Sequence, residues 1–162
     1  MENHDLVLRT AGAGNIALSH EALYRLGVRI YAEDKSHRRC GEIMDLLGTV
    51  STTRAFALQG CCYVHLRKYA AALGMMQSVI QDRDYIIQQK EIMEEIILCD
   101  LLRYMAAIYR TGIPEVTDRN LSAAVKVLKL GLNSMQNRNF KKYFKEELRH
   151  YQKKLFGGYK YS

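Results

Sequence analysis

The sequence predicts an all-α fold, and three observations support that prediction. Apolar residues recur at three- and four-residue steps along most of the chain, which is the spacing of one face of a helix. The 162 residues include one proline and no tryptophan, and 48% of them are hydrophobic, which is enough to form a core. The clearest pattern lies in residues 54–82, where a short polar turn joins two amphipathic segments. The other elements are interpreted around this central pair.

The central pair combines small residues with large aromatic ones. In its first half, Phe56, Gly60 and Tyr63 share a helix face, and in its second half Tyr69 and Ala72 begin another. A glycine inside a helix costs roughly 1 kcal/mol relative to alanine. Close approach of a second helix would offset that cost, so we expect a helix–helix contact at Gly60.

This spacing resembles that of a tetratricopeptide repeat (TPR), a pair of antiparallel helices. The family pattern places a small residue, an aromatic residue, a short turn, an apolar residue and a second small residue in order. Here those positions are Gly60, Tyr63, Leu66, Tyr69 and Ala72. One repeat of the family spans about 34 residues.

Two further segments resemble the same repeat. Gly27 precedes Gly60 by 33 residues, close to the family period, although Arg39-Cys40 stands where a second small residue is expected. A poorer copy follows around Ala106, after a longer interval. The resemblance implies antiparallel helix-pair repeats stacked into a TPR-like α-solenoid with a C-terminal capping helix.

The predicted helices begin at residues that can cap them. Asn15 or Ser19 caps the first helix, Asp34 or Ser36 starts the second, and the Ser/Thr run at 51–53 caps the third.

The second part of the chain continues as long helices. Residues 85–110 form one pattern with a broad apolar face, typical either of a central helix covered on two sides or of a self-association face. Asp118 can cap the next helix, Asn137 or Asn139 can cap the last, and that last helix is expected to end near Phe156.

The sequence therefore predicts one helical domain over residues 15–156, a flexible lead-in at 1–14 and a flexible tail at 157–162. The lead-in lacks the basic and apolar regions of a signal peptide, and no apolar run approaches the roughly 18 residues of a membrane span. We expect a soluble cytoplasmic protein, with the nucleus as the alternative.

The cysteines and histidines give no strong indication of a catalytic or metal site. Cys61, Cys62 and His65 lie within one helical turn and could be read as metal ligands, but buried free thiols are the commoner explanation. No histidine lies in a recognisable nucleophile pattern. We expect a non-enzymatic protein with no cofactor and no bound metal.

Positive charge is concentrated in the last quarter of the chain. Residues 119–162 contain 11 Lys and Arg residues against Glu146 and Glu147, whereas the whole chain has a net charge of +7. Basic residues of the last helix fall on one side of it, and we call them the basic face: Lys141, Lys142, Lys145, Arg149 and Lys153. This face is either a solvated surface or a binding site for an acidic partner.

The predicted function is a protein–protein interaction adaptor or scaffold subunit. The TPR resemblance implies a groove that holds a partner peptide or helix, and its arginines predict an acidic or aromatic-anchored partner. A homodimer and a nucleic-acid partner for the basic face are the alternatives. The implied groove residues are Tyr24, Arg25, Tyr31, Arg54, His65, Arg103, Tyr104 and Arg110.

Overall fold

The computed structural model describes residues 18–161, so the predicted lead-in at 1–14 lies outside the described residues. All regular elements of the described part are helices, which confirms the all-α prediction; an isolated bridge pairs Ile113 with Thr117. The helices are α1 His20–Glu33, α2 Cys40–Leu46, α3 Thr53–His65, α4 Tyr69–Gln81, α5 Arg83–Ile87, α6 Ile92–Thr111, α7 Leu121–Ser134 and α8 Arg138–Tyr161.

Side-chain caps explain where several helices begin. Ser19, Thr52 and Asn137 each accept a hydrogen bond from the backbone N–H three residues on, as the sequence predicts. The cap of α7 is Asn120, whose Oδ1 accepts the N–H of Ala123 at 3.0 Å. The expected Asp118 cap is therefore wrong by two residues.

The second helix starts later than expected. The carboxylate of Asp34 accepts the backbone N–H of Arg39 at 2.7 Å and the hydroxyl of Ser36 at 3.1 Å. These bonds close a loop in which His37 has a left-handed φ of 55°. Asp34 and Ser36 thus shape the loop, and α2 begins only at Cys40.

The predicted helix over 85–110 is interrupted, so α5 and α6 are separate. The Lys90 ammonium donates to carbonyl oxygens of α5, one at 3.2 Å, and to that of Gln88 at 3.0 Å. This side chain satisfies acceptors that a continuing helix would have used. As a consequence Ile87 and Ile92, at 76% and 58% exposure, lie at the break and outside any covered apolar face.

The helices pack mainly against their neighbours in the chain. Contacts join α1 to α2, α2 to α3, α3 to α4, α6 to α7 and α7 to α8. Further contacts join α1 to α3 and α3 to α6. The helices α1, α3 and α6 therefore follow one another in space, and the space between them contains the candidate site.

Glycines lie at several of these helix–helix contacts. A Cβ atom at Gly60 would lie 3.6 Å from side-chain atoms of Met75, Met76 and Leu101. A Cβ atom at Gly27 would lie 3.4 Å from a methyl group of Leu58. Gly60 therefore lies at the contact of α3 with both α4 and α6, at distances where an alanine Cβ would also fit.

The last helix is longer than predicted. It continues to Tyr161, beyond the expected end at Phe156. Gly157 and Gly158 were expected to end it, but a glycine inside a helix costs only roughly 1 kcal/mol and does not by itself end the helix. Its apolar side, with Phe144, Leu148 and Tyr151, is buried. Along the described residues, no helix combines the length and apolar character needed to cross a membrane.

Candidate functional site

A polar cluster lies where α1, the α1–α2 loop, α3 and α6 meet. The phenol of Tyr31, near the end of α1, donates a hydrogen bond to Asp100 Oδ2 of α6 at 2.8 Å. The guanidinium of Arg103, one turn further along α6, lies 3.8 Å from Asp100 Oδ1. The largely buried phenol of Tyr31 and the half-buried carboxylate of Asp100 thus link α1 to α6.

Two histidines extend this cluster toward α3. The rings of His37 and His65 stack with centroids 3.9 Å apart and planes 10° from parallel. His65 Nε2 lies 3.1 Å from the hydroxyl of Tyr104, whose ring meets the imidazole edge-on. The His37 ring also lies 5.1 Å from that of Tyr31. We call the five side chains Tyr31, His37, His65, Asp100 and Tyr104 the groove cluster.

His37 is held in place by the loop described above. Its backbone N–H donates to the carbonyl of Asp34 at 3.1 Å, and its left-handed φ turns the chain inward. Within the part of the chain that the structure describes, its Nδ1 atom is buried and has no hydrogen-bond partner. Backbone strain and an unpaired buried polar atom commonly occur at functional sites.

A cavity of about 270 Å³ opens beside the cluster. Met93 and Ile96 of α6 contribute its larger apolar side chains, and its polar lining residues are Tyr31, Asp34, Lys35, His37 and Asp100. Pockets for small molecules usually measure about 300–1,000 Å³. This cavity is slightly smaller than that range, so it suits a single large side chain better than a whole cofactor.

Burial sets the protonation of the cluster. It raises the pKa of Asp100, although the Tyr31 hydrogen bond and the charge of Arg103 act in the opposite direction. Burial also raises the pKa of Tyr104 to about 12 and lowers the pKa of His65. At neutral pH the cluster therefore presents a neutral His65 imidazole, neutral phenols and one partly desolvated carboxyl group.

The thiol of Cys61 lies near the cluster but does not add a nucleophile. Cys61 is fully buried, and its Sγ lies 3.5 Å from the carbonyl oxygen of Ile97. Burial raises the pKa of Cys61 well above its usual value, opposite to the shift in reactive cysteines. Residues 18–161 contain no group of three or more His, Cys, Asp or Glu side chains placed to hold a metal ion.

The structure brings together Tyr31, His65, Arg103 and Tyr104 of the predicted groove. Tyr24 is 3% exposed and lies under the guanidinium of Arg54, apart from the groove cluster.

The remaining arginines already have partners inside the chain. Arg54 pairs with Glu21 and, at 3.3 Å, with Glu94, and its guanidinium lies 4.3 Å from the Tyr24 ring centroid. Arg25 lies 2.7 Å from Glu21.

In the C-terminal half of α6, the guanidinium groups of two arginines lie over tyrosine rings of α8. Arg103 lies 4.6 Å from the ring of Tyr143, and Arg110 lies 5.7 Å from that of Tyr151. Because the groove arginines are engaged in this way, they give little support to the predicted acidic partner.

Sequence reasoning missed His37 and Asp100. Asp100 precedes Tyr104 by four residues and therefore shares its helix face, a signal that was available. His37 gave no such signal, because its position depends on the loop that Asp34 closes.

The basic face lies apart from this cluster. All five of its residues are exposed on α8: Lys141, Lys142, Lys145, Arg149 and Lys153. This arrangement agrees with the predicted amphipathic pattern of the last helix, whose other side is buried.

Comparisons with protein-family models, curated proteins and solved structures give no match for this chain. The function is therefore inferred from the geometry of its own residues.

Proposed function

We propose that the protein is a non-enzymatic adaptor or scaffold subunit with a TPR-like groove. The groove is lined by α1, α3 and α6 and binds a partner peptide or helix. A large aromatic side chain of the partner enters the cavity beside the groove cluster. The observation that carries this proposal is the buried, unpartnered Nδ1 of His37, a residue that lines a partly apolar cavity.

The helix contacts support the repeat arrangement. In a TPR-like solenoid, the first helix of each pair lies beside the first helix of the next pair. The contacts of α1 with α3 and of α3 with α6 have this order, and Gly27 and Gly60 occupy the equivalent positions in the first two pairs.

The cavity favours an anchor with an aromatic body and a polar tip. Met93 and Ile96 provide apolar lining, while the imidazole of His37 and the carboxyl of Asp100 line the same cavity and can accept hydrogen bonds. A tyrosine hydroxyl or a tryptophan indole N–H can donate to such acceptors, and both residue types are frequent at binding hot spots. A Tyr or Trp anchor would therefore form one buried hydrogen bond that an apolar anchor could not form.

The same chemistry gives no support to a catalytic role. The thiol of Cys61 is buried with a raised pKa, and the phenol of Tyr31 already donates to Asp100. Neither group is available as an activated nucleophile. The proposal accordingly assigns binding, with no chemical step, to the groove cluster.

Selection from a random displayed-peptide library tests this function. The purified chain should enrich peptides with a recurrent Tyr or Trp, because those residues satisfy the cavity. The same peptides should not bind a His65→Ala, Tyr104→Ala variant, which removes one side of the cluster. An Arg83→Ala variant, changed at an exposed residue of α5, is the matched control and should bind normally. Selected peptides that lack a recurrent aromatic residue would contradict the proposed groove. Equal binding of the peptides by both variants would also contradict it.

A further inference from the structure

The outward side of α8 presents the five residues of the basic face, with Glu146 as the acidic residue beside them. None of the ion pairs within residues 18–154 includes a residue of the basic face. The groove residues Arg25, Arg54 and Arg103, in contrast, each lie beside a carboxylate. The two basic regions of the protein are therefore physically different.

The basic face is held on a well-packed helix. Phe144 is fully buried, and Leu148 and Tyr151 are nearly so, on the side of α8 that packs against α7. The Phe144 ring rests on Gly131, where even a Cβ atom would be too close. A surface fixed in this way can bind an extended partner without first becoming ordered.

The positions of these charges work against the stability of α8. Lys141, Lys145, Arg149 and Lys153 follow one another at four-residue steps, so like charges face each other along the helix. The N-terminus of α8 already has a carboxylate beside it, because Glu95 Oε1 of α6 accepts the backbone N–H of Gln136 at 3.2 Å and that of Asn137 at 2.7 Å. The repulsion along the basic face itself is not relieved by an ion pair within residues 18–154, which points to compensation by an external anion.

The surroundings of the basic face favour a phosphate backbone over an acidic protein. Protein interfaces usually depend on a buried apolar or aromatic centre. Among residues 18–154, the large hydrophobic side chains that are exposed are Leu66, Ile87 and Ile92, and none lies on the 138–154 part of α8. Neutralisation of phosphates by Lys and Arg requires no such centre.

The shape of the face favours a groove over a flat surface. At about 100° per residue, its five residues span an arc of roughly 120° around α8. A flat anionic bilayer would contact only the basic residues near the middle of that arc. The major groove of B-form DNA, about 12 Å wide, admits a helix and has phosphates along both walls.

We propose that the basic face binds the phosphate backbone of duplex DNA without sequence preference, with α8 lying along the major groove. This binding uses none of the groove cluster, so it stands independently of the adaptor function. Because it depends on released counterions, it weakens steeply as salt increases.

Fluorescence anisotropy with a labelled DNA duplex of about 20 base pairs, at about 50 and 200 mM salt, tests the proposal. The test variant is Lys142→Gln, Lys145→Gln, Arg149→Gln. The slope of log K against log salt should become shallower by about 3, since each lost phosphate contact removes about 0.9. At the lower salt concentration, affinity should fall about tenfold or more.

The matched control removes the same charge elsewhere. Arg29, Lys68 and Arg83 are exposed and lie outside α8, and replacing all three with Gln should change affinity less than about twofold. Equal losses in both variants would show that only net charge matters and would overturn the proposal.

Two further measurements test whether the basic face itself contacts the DNA and whether it prefers DNA to other anions. On the unmodified protein, bound duplex DNA should protect Lys142 and Lys145 from acetylation, as read by mass spectrometry, and leave Lys68 reactive. This readout is decisive even if the triple variant fails to fold. Absence of protection overturns the proposal, as does tighter binding to phosphatidylserine vesicles or to polyglutamate than to the duplex.

Discussion

The ring of Phe144 lies directly against the backbone of Gly131. A Cβ atom added at position 131 would lie 2.5 Å from Phe144 Cε1, closer than real Cβ contacts. Phe144 is fully buried, so its ring has little space into which to move. This contact fixes α8 on α7 and thereby fixes both the basic face and the tyrosines beneath Arg103 and Arg110.

Gly131→Ala should therefore destabilise the fold although alanine is the better helix former. We expect the free energy of unfolding to fall by about 1–3 kcal/mol, the usual cost of overpacking. Gly74→Ala is the control, because Gly74 is exposed on α4 with nothing within 4 Å of an added Cβ. That variant should gain about 0.5–1 kcal/mol. Urea unfolding curves measure both changes, and two changes of the same sign would contradict this packing.

The contact around Gly60 gives a graded prediction. Gly60→Ala should be tolerated, because its Cβ would make ordinary contacts at 3.6 Å. Gly60→Leu should cost about 1–3 kcal/mol by pushing against Met76 and Leu101. Ala72→Arg should abolish folding, since Ala72 is fully buried and an unpaired charge there exceeds what a small domain can accommodate. Circular dichroism melts distinguish the three, and wild-type melts for Gly60→Leu and Ala72→Arg would refute the helix pairing.

Arg54 gives a prediction that differs from sequence reasoning. A solvated groove arginine could be reversed without unfolding, but Arg54 lies between Glu21 and Glu94 and over the ring of Tyr24. Arg54→Glu would place three carboxylates together, and we expect a loss of about 1–3 kcal/mol. Arg83→Glu, at an exposed site, should change stability by less than about 0.5 kcal/mol. Denaturant midpoints test the pair, and an unchanged midpoint for Arg54→Glu would mean that this network is not formed.

The raised pKa of Asp100 predicts that the free energy of unfolding depends on pH. Because burial raises its folded pKa, the folded state binds its proton more tightly than the unfolded state, whose carboxyl titrates near 3.9. Its contribution to stability is thus fully present below that value and is lost as the pH rises through the folded pKa. Asp100→Asn stays uncharged and keeps an acceptor for Tyr31, so its stability relative to wild type should increase with pH. Unfolding at about pH 4.5 and 7.5 measures this difference, and the opposite trend would mean that Arg103 and His37 outweigh burial.

Sequence reasoning could predict the elements that depend on local patterns. Helix class, the caps at Ser19 and Asn137, and the small residue at Gly60 all follow from spacing and side-chain chemistry. The break between α5 and α6 could not be foreseen, because it depends on one lysine folding back onto carbonyl oxygens of α5.

The candidate site was less predictable than the fold. Residues on one helix face could be listed, but which arginines remain available depends on carboxylates from other helices, as Arg54 shows with Glu94. The burial of Tyr24 and the inward turn at His37 likewise arise only when distant segments pack together.

The measurement that tests the central claim most directly is a double-mutant cycle between the cavity and its anchor. A Tyr-containing peptide selected on wild type is compared with its Phe twin by fluorescence anisotropy. Both are measured on wild type and on Tyr31→Phe, Asp100→Leu, which removes both members of the hydrogen bond together and so limits the loss of stability.

The groove account predicts that wild type prefers the Tyr peptide about tenfold, corresponding to about 1.4 kcal/mol for one buried hydrogen bond. The apolar variant should lose that preference or favour the Phe peptide. A preference for Tyr that is unchanged in the variant would mean that Asp100 does not accept the anchor's hydrogen bond and would contradict the account.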